Sequence, residues 1–80
     1  AKIHILAIPK LPVVDFSDFM IKSDKKNAQH FFCKIKDLIK EFGIDQSGFK
    51  IIINSGNHGG QEIPHFHVHI LGGEKLKGVK

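Results

Sequence analysis

The chain contains no arginine. All twelve of its basic residues are lysines, set against eight acidic residues for a net charge of +4. Planar, bidentate clamping of phosphates and guanine edges is arginine chemistry, and these lysines are scattered over helix, loops and tail instead of forming a stripe. The balance gives a mild preference for anions and argues against a nucleic-acid reader. Cysteine occurs once, at Cys33, which excludes an internal disulfide framework and fits a reducing compartment. No apolar run approaches the roughly 20 residues of a membrane span. The opening AKIHILAIPK lacks a signal-peptide layout, because its apolar run is short and leads straight into a Pro-Lys turn. The expectation is a cytoplasmic chain without membrane contact. Repeats, low-complexity segments and an obvious linker are also missing, so the 80 residues read as one small domain, 1–80, near the lower size limit for a self-sufficient core. With 41% apolar and 25% charged residues, the composition is that of an ordinary folded domain.

What is present is ordered by periodicity. Residues 2–8 (KIHILAI) carry apolar and β-branched side chains and predict a strand that Pro9 and Pro12 end. VDFSDFM (14–20) predicts a short helical turn. Over residues 24–42, Ala28, Phe31, Phe32, Ile35, Leu38, Ile39 and Phe42 recur at three- and four-residue steps and make one apolar helix face. Ser23 or Asp24 is the candidate N-cap and Gly43 the stop. His30 and Cys33 flank that face as ordinary packed or half-exposed helix residues. GFKIIIN (48–54) predicts a second strand, NSGNHGGQ (54–61) a glycine loop, and residues 62–71 a third strand. The fold class is α+β, a short antiparallel sheet packed with one long helix, and Asn54 with the glycine loop lies beside the last strand.

That last strand contains PHFHVHIL (64–71), with His65, His67 and His69 at every second position. In a strand they share one face, while Phe66, Val68 and Ile70 take the other as core. A plain polar outer face is one reading of this pattern. Metal binding is another, but same-face neighbours lie roughly 6.5–7 Å apart and the outer pair roughly 13 Å, whereas a zinc–imidazole bond spans about 2.0–2.1 Å. Two adjacent histidines reach one ion; a third ligand has to come from His4 or His58. The expectation is no metal and no cofactor. The catalytic reading uses the row as it stands. A neutral imidazole, with an ordinary pKa of about 6.5, is a competent nucleophile towards phosphorus. Flanking histidines can set its tautomer or donate to phosphate oxygens. Beside such a row, SGNHGGQ offers backbone amides that glycine lets approach closely.

GNHGGQEIPHFHVHILGG resembles the signature of the histidine-triad (HIT) nucleotide-binding family, and its spelling is similar to the purine-nucleoside phosphoramidase branch. IHILAIPK and KIIINSG resemble that family's strands ending in Ile-Pro-Lys and Asn-x-Gly. The resemblance implies a hydrolase for nucleoside phosphoramidates or related nucleotidyl esters, working through a nucleotidyl-histidine intermediate without a cofactor. In it, His67 attacks phosphorus, His69 contacts the phosphate or leaving group, His65 orients His67 through the backbone, and His4 supports the triad from the neighbouring strand. Asn54, Gly56, Gly59, Gly60, Gln61 and Glu62 match the nucleotide- and phosphate-binding positions. Glu62 stands where many members carry a serine that helps protonate the leaving amine. It either selects cationic leaving groups or is simply solvated.

Relative to that family the chain starts late, lacking the usual N-terminal segment of roughly 30–40 residues that walls the purine. The expected partners are a purine nucleotide or nucleotidyl substrate and a second copy in a homodimer with an extended sheet, since so small a core gains from a second apolar layer. The rival from another class is a non-catalytic dimeric interaction module with a truncated nucleotide pocket.

Overall fold

Alternation builds the sheet. In β1 (Ile3–Ala7), Ile3, Ile5 and Ala7 turn inward, while His4 and Leu6 stay on the other face. In β3 (Val68–Gly72), Val68, Ile70 and Gly72 are buried, and His69 and Leu71 occupy the opposite face. The computed structural model describes residues 1–76; its remaining elements are α1 (Phe16–Lys22), α2 (Lys25–Glu41) and β2 (Phe49–Ile52). The sheet has the order β1-β3-β2 with both pairings antiparallel. The histidine-bearing strand is therefore central, and β1 brings Leu6 opposite His69 while β2 brings Ile52 to its other side.

The helices start and stop where their polar residues dictate. Asp24, not Ser23, caps α2, its carboxylate accepting the Asn27 N–H at 2.7 Å, which satisfies one of the orphan donors of the first turn. Past Glu41 the chain closes as the Gly43 and Ile44 amides fold back on the Lys40 and Ile39 carbonyls at 3.0 and 3.2 Å, as at many glycine-terminated helices. Around α1 the capping is reciprocal. Asp15 accepts the Asp18 N–H at 2.8 Å, and Asp18 accepts the Val14 N–H at 2.8 Å. That Val14 bond, and after it Lys22, hold the Asp18 carboxyl below its ordinary pKa. This mutual bonding makes the expected helical turn a helix of seven residues.

Two strand expectations need correction at their ends. Residues 62–67 are not strand; regular pairing begins at Val68. Pro64 has no N–H for a ladder, and the Phe66 N–H is taken by the Val13 carbonyl at 2.9 Å, so this segment bends against the stretch before α1. The second strand is likewise shorter than 48–54, running only from Phe49 to Ile52.

The core lies between the sheet and α2. Phe66, Val68 and Ile70 are 1%, 0% and 0% exposed and pack with Val13, Phe19, Ile35, Ile39 and Ile44. Phe66 stacks on Phe19 with centroids 4.8 Å apart, and Phe31 closes the cluster at 5.2 Å from Phe19 and 5.9 Å from Phe66. Gly72 in β3 lets Ile44 seat on the sheet, since a Cβ there would meet Ile44 Cδ1 at 2.9 Å. Phe66→Ala is expected to cost about 3–5 kcal/mol in denaturant unfolding, whereas Ile21→Ala, at a side chain 81% exposed, should stay within about 0.5 kcal/mol of the parent.

Candidate active site

Burial of Phe66, Val68 and Ile70 turns the intervening histidines away from the core, but they do not form the straight row that a strand over 62–71 implies. His69 alone lies within β3. His67 immediately precedes it, and His65 sits in the bend. The imidazoles of His67 and His69 meet edge to face with centroids 5.0 Å apart, and His69 and His4 at 5.2 Å. Three rings thus make a continuous track, His67–His69–His4, in which the third member comes from β1 and not from His65.

Each ring has a defined partner. His67 Nδ1 lies 2.7 Å from the His65 carbonyl oxygen. A carbonyl oxygen only accepts, so Nδ1 carries the proton, and the neutral ring keeps its lone pair on Nε2. His65 is bonded through Nε2 to the Pro9 carbonyl at 3.3 Å; its ring is tied to the end of β1 and its carbonyl is what reaches His67. His69 Nδ1 and His4 Nε2 are 2.9 Å apart, so one of these nitrogens donates and the other accepts. Burial, followed by the proximity of His67 and then His4, holds the His69 pKa below its ordinary value. His69 therefore favours the neutral ring, with a single N–H to give.

The glycine loop follows β2 and is braced from within. Asn54 donates to the Gly59 carbonyl at 2.8 Å, the Gly60 N–H to Asn57 O at 3.1 Å, and the Gln61 N–H to Gly56 O at 3.0 Å. Gly59 is pressed against the chain, since a Cβ at this position would fall on the Ser55 carbonyl oxygen. The Gln61 side chain accepts the Gly56 N–H at 2.9 Å and donates to Val14 O at 2.7 Å and Ile63 O at 2.9 Å. The Gly56, Gly60 and Gln61 amides and the Gln61 side chain are thereby engaged inside the loop. Among the described residues, the Gly59 and Glu62 amides take no part in these bonds. Asn54 retains a second N–H and its carbonyl oxygen. Glu62 is exposed. Among the described residues no group of three histidine, cysteine, aspartate or glutamate side chains converges closely enough to hold a metal ion, and no helix is long and apolar enough to cross a membrane.

The backbone acceptors at Pro9, Val13 and Val14 carry no side-chain signal and escape a reading of sequence alone. The same is true of Leu6 and Ile52, which flank His69 across the sheet.

A sheet with a central histidine strand, a glycine loop and a linked imidazole track defines the class. Residues 1–76 match the HIT domain, and the chain belongs to the HIT family. It is 46% identical to a HIT-like protein of Rickettsia prowazekii over 99% of its own length and 66% of that protein's. To the purine nucleoside phosphoramidase of Escherichia coli it is 33% identical, covering 95% of this chain and 63% of the enzyme. A histidine triad protein from Clostridium difficile superposes over the whole chain and 69% of its own, with a TM-score of 0.84 and 38% identity. The chain thus spans about two thirds of the length of these relatives.

The lowered His69 pKa has a consequence for stability. Between the folded pKa and the unfolded value of about 6.5, the unfolded chain binds more protons than the folded one. The contribution is therefore fully present above about pH 6.5 and is lost as the pH falls through the folded pKa. Melting temperature should decline on acidification below about pH 6.5, and His69→Asn should flatten the decline; equal slopes in parent and variant would refute the assignment.

Proposed function

We propose that the protein is a nucleotide-binding hydrolase that cleaves nucleoside phosphoramidates or related nucleotidyl esters through an intermediate on His67. The observation that carries this reading is the bond from His67 Nδ1–H to the His65 carbonyl at 2.7 Å. It puts the proton of the neutral ring on Nδ1 and so makes the Nε2 lone pair the nucleophile.

The bond changes follow from this placement. His67 Nε2 attacks the α-phosphorus, a P–N bond to the imidazole forms, and the bond to the leaving amine or oxygen breaks. The leaving group takes up a proton from water as it departs, and His69, touching His67, hydrogen-bonds through Nε2–H to it or to a phosphate oxygen when His4 donates to His69 Nδ1. Water then attacks phosphorus, the P–Nε2 bond breaks, and a nucleoside monophosphate leaves. His4 completes the track by fixing the His69 ring, and the Asn54 side-chain amide together with the Gly59 and Glu62 backbone amides, the loop donors left outside its internal bonds, binds phosphate oxygens. The similarity to the Escherichia coli purine nucleoside phosphoramidase supports this choice of substrate class.

The active form is read as a homodimer. Among the described residues β2 is an outer strand of the sheet, with Phe49 and Ile51 43% and 42% exposed, and packing a second copy against this strand covers both side chains.

Turnover of a fluorogenic adenosine phosphoramidate by the wild-type chain, with loss of at least about 10³-fold in His67→Ala, is the expected result. The variant should melt close to the parent, since His67 is outside the core cluster. Near-parental turnover by the variant would defeat the assignment, and a folded wild-type chain without turnover would favour the interaction-module reading.

A further inference from the structure

The Gln61 side chain joins three separate segments around the histidines. Its carboxamide spans the glycine loop at Gly56, the stretch before α1 at Val14 and the bend at Ile63, with bonds of 2.9, 2.7 and 2.9 Å. Two carbonyls and one amide surround it, so the group is matched in only one orientation. A flipped amide would set its oxygen against both carbonyls and its nitrogen against an N–H.

The path from this amide to the reacting nitrogen is short. The Ile63 carbonyl that accepts from Gln61 also accepts the His65 N–H at 2.8 Å. The adjoining Phe66 N–H is bonded to Val13 O at 2.9 Å, next to the Val14 carbonyl that Gln61 holds. His65 is thus fixed on both sides, through Ile63 and through Phe66. The orientation of its carbonyl, which receives the His67 Nδ1 proton at 2.7 Å, depends on that fixation. No backbone ladder does this work, because the segment precedes β3 and contains Pro64.

We propose that Gln61 is a positioning residue for His67. By clamping the Ile63–His65 bend against Val14, it holds the His65 carbonyl where it imposes the Nδ1–H tautomer, and so keeps Nε2 free to attack. This deepens the reading of His67 as nucleophile and rests on it. Direct binding of phosphate by the Gln61 side chain is a different role, and one for which its engaged donors are not available.

The test compares wild type with Gln61→Ala and Gln61→Glu. The glutamate keeps the size and the acceptor for Gly56 but, ionised, replaces both donors with an oxygen facing two carbonyls. Nitrogen-15 NMR of the imidazoles near pH 7.5 is expected to show wild-type His67 with Nδ1 protonated and Nε2 bare. Both variants should show a mixture of tautomers, and kcat for the phosphoramidate should fall on the order of tenfold while KM changes less than about threefold. Retention of a single His67 tautomer in either folded variant would overturn the proposal. So would a variant kcat within twofold of wild type, or a tautomer change seen only where the amide dispersion of the folded chain is lost. A large rise in KM at unchanged kcat would instead return Gln61 to phosphate binding. The tautomer measurement stands without turnover, so an inactive wild type with His67 tautomers that respond to Gln61 would sink the hydrolase reading and leave the brace in place.

Discussion

Phe66 fixes the site because it is buried between two histidines. Its ring lies in the aromatic cluster with Phe19 and Phe31, and its N–H is bonded to Val13 across the turn that leads into α1. With Phe66 anchored by side chain and backbone, His65 and His67 can leave the core only on the other side. The 2.7 Å bond between His65 O and His67 Nδ1 follows from that local bend. Hydrophobic packing on one face therefore sets a proton position on the other.

Electrostatics then divides the imidazoles. His67, His69 and His4 touch in sequence. Partial burial, and after it the proximity of His67 and then His4, depresses the pKa of His69. At His69 the outcome is a ring suited to neutral hydrogen bonding instead of a fixed positive charge. A fixed cationic clamp is scarce in other ways too, since the chain has no arginine. The polar contacts to phosphate in the proposed reaction fall to imidazole, the Asn54 amide and the backbone.

Much of this was legible in the residues. The helix from Lys25 to Glu41 follows from an apolar face at three- and four-residue steps closed by Asp24 and Gly43. The inward Phe66, Val68 and Ile70 follow from alternation, which extends beyond the strand itself because burial, not pairing, enforces it. The histidine row was harder to read. Alternation over 62–71 implies three equivalent rings, whereas Pro64 and the Val13–Phe66 bond remove the ladder before Val68, so His65 contributes a carbonyl and His4 supplies the third ring. The central place of β3 does not follow from alternation, because strand order depends on which edges meet in space; only the family resemblance, which sets His4 on a neighbouring strand, implies it. Gln61 matched a phosphate-binding position by resemblance, and only the bonds around its amide show three protein partners. Backbone acceptors such as Pro9 and Val14 leave no mark in a sequence.

The claim on which the account rests is that His67 Nε2 forms the covalent bond to phosphorus. The most direct measurement is acid- or base-quenched reaction of the wild-type chain with a slowly hydrolysed nucleotidyl substrate, followed by mass spectrometry of the peptides. The account requires a base-stable, acid-labile nucleotidyl adduct on His67 and on no other residue. An adduct mapping to His65 or His69, or rapid turnover in which oxygen-18 water reaches phosphorus with no protein-bound intermediate at any quench time, would contradict it.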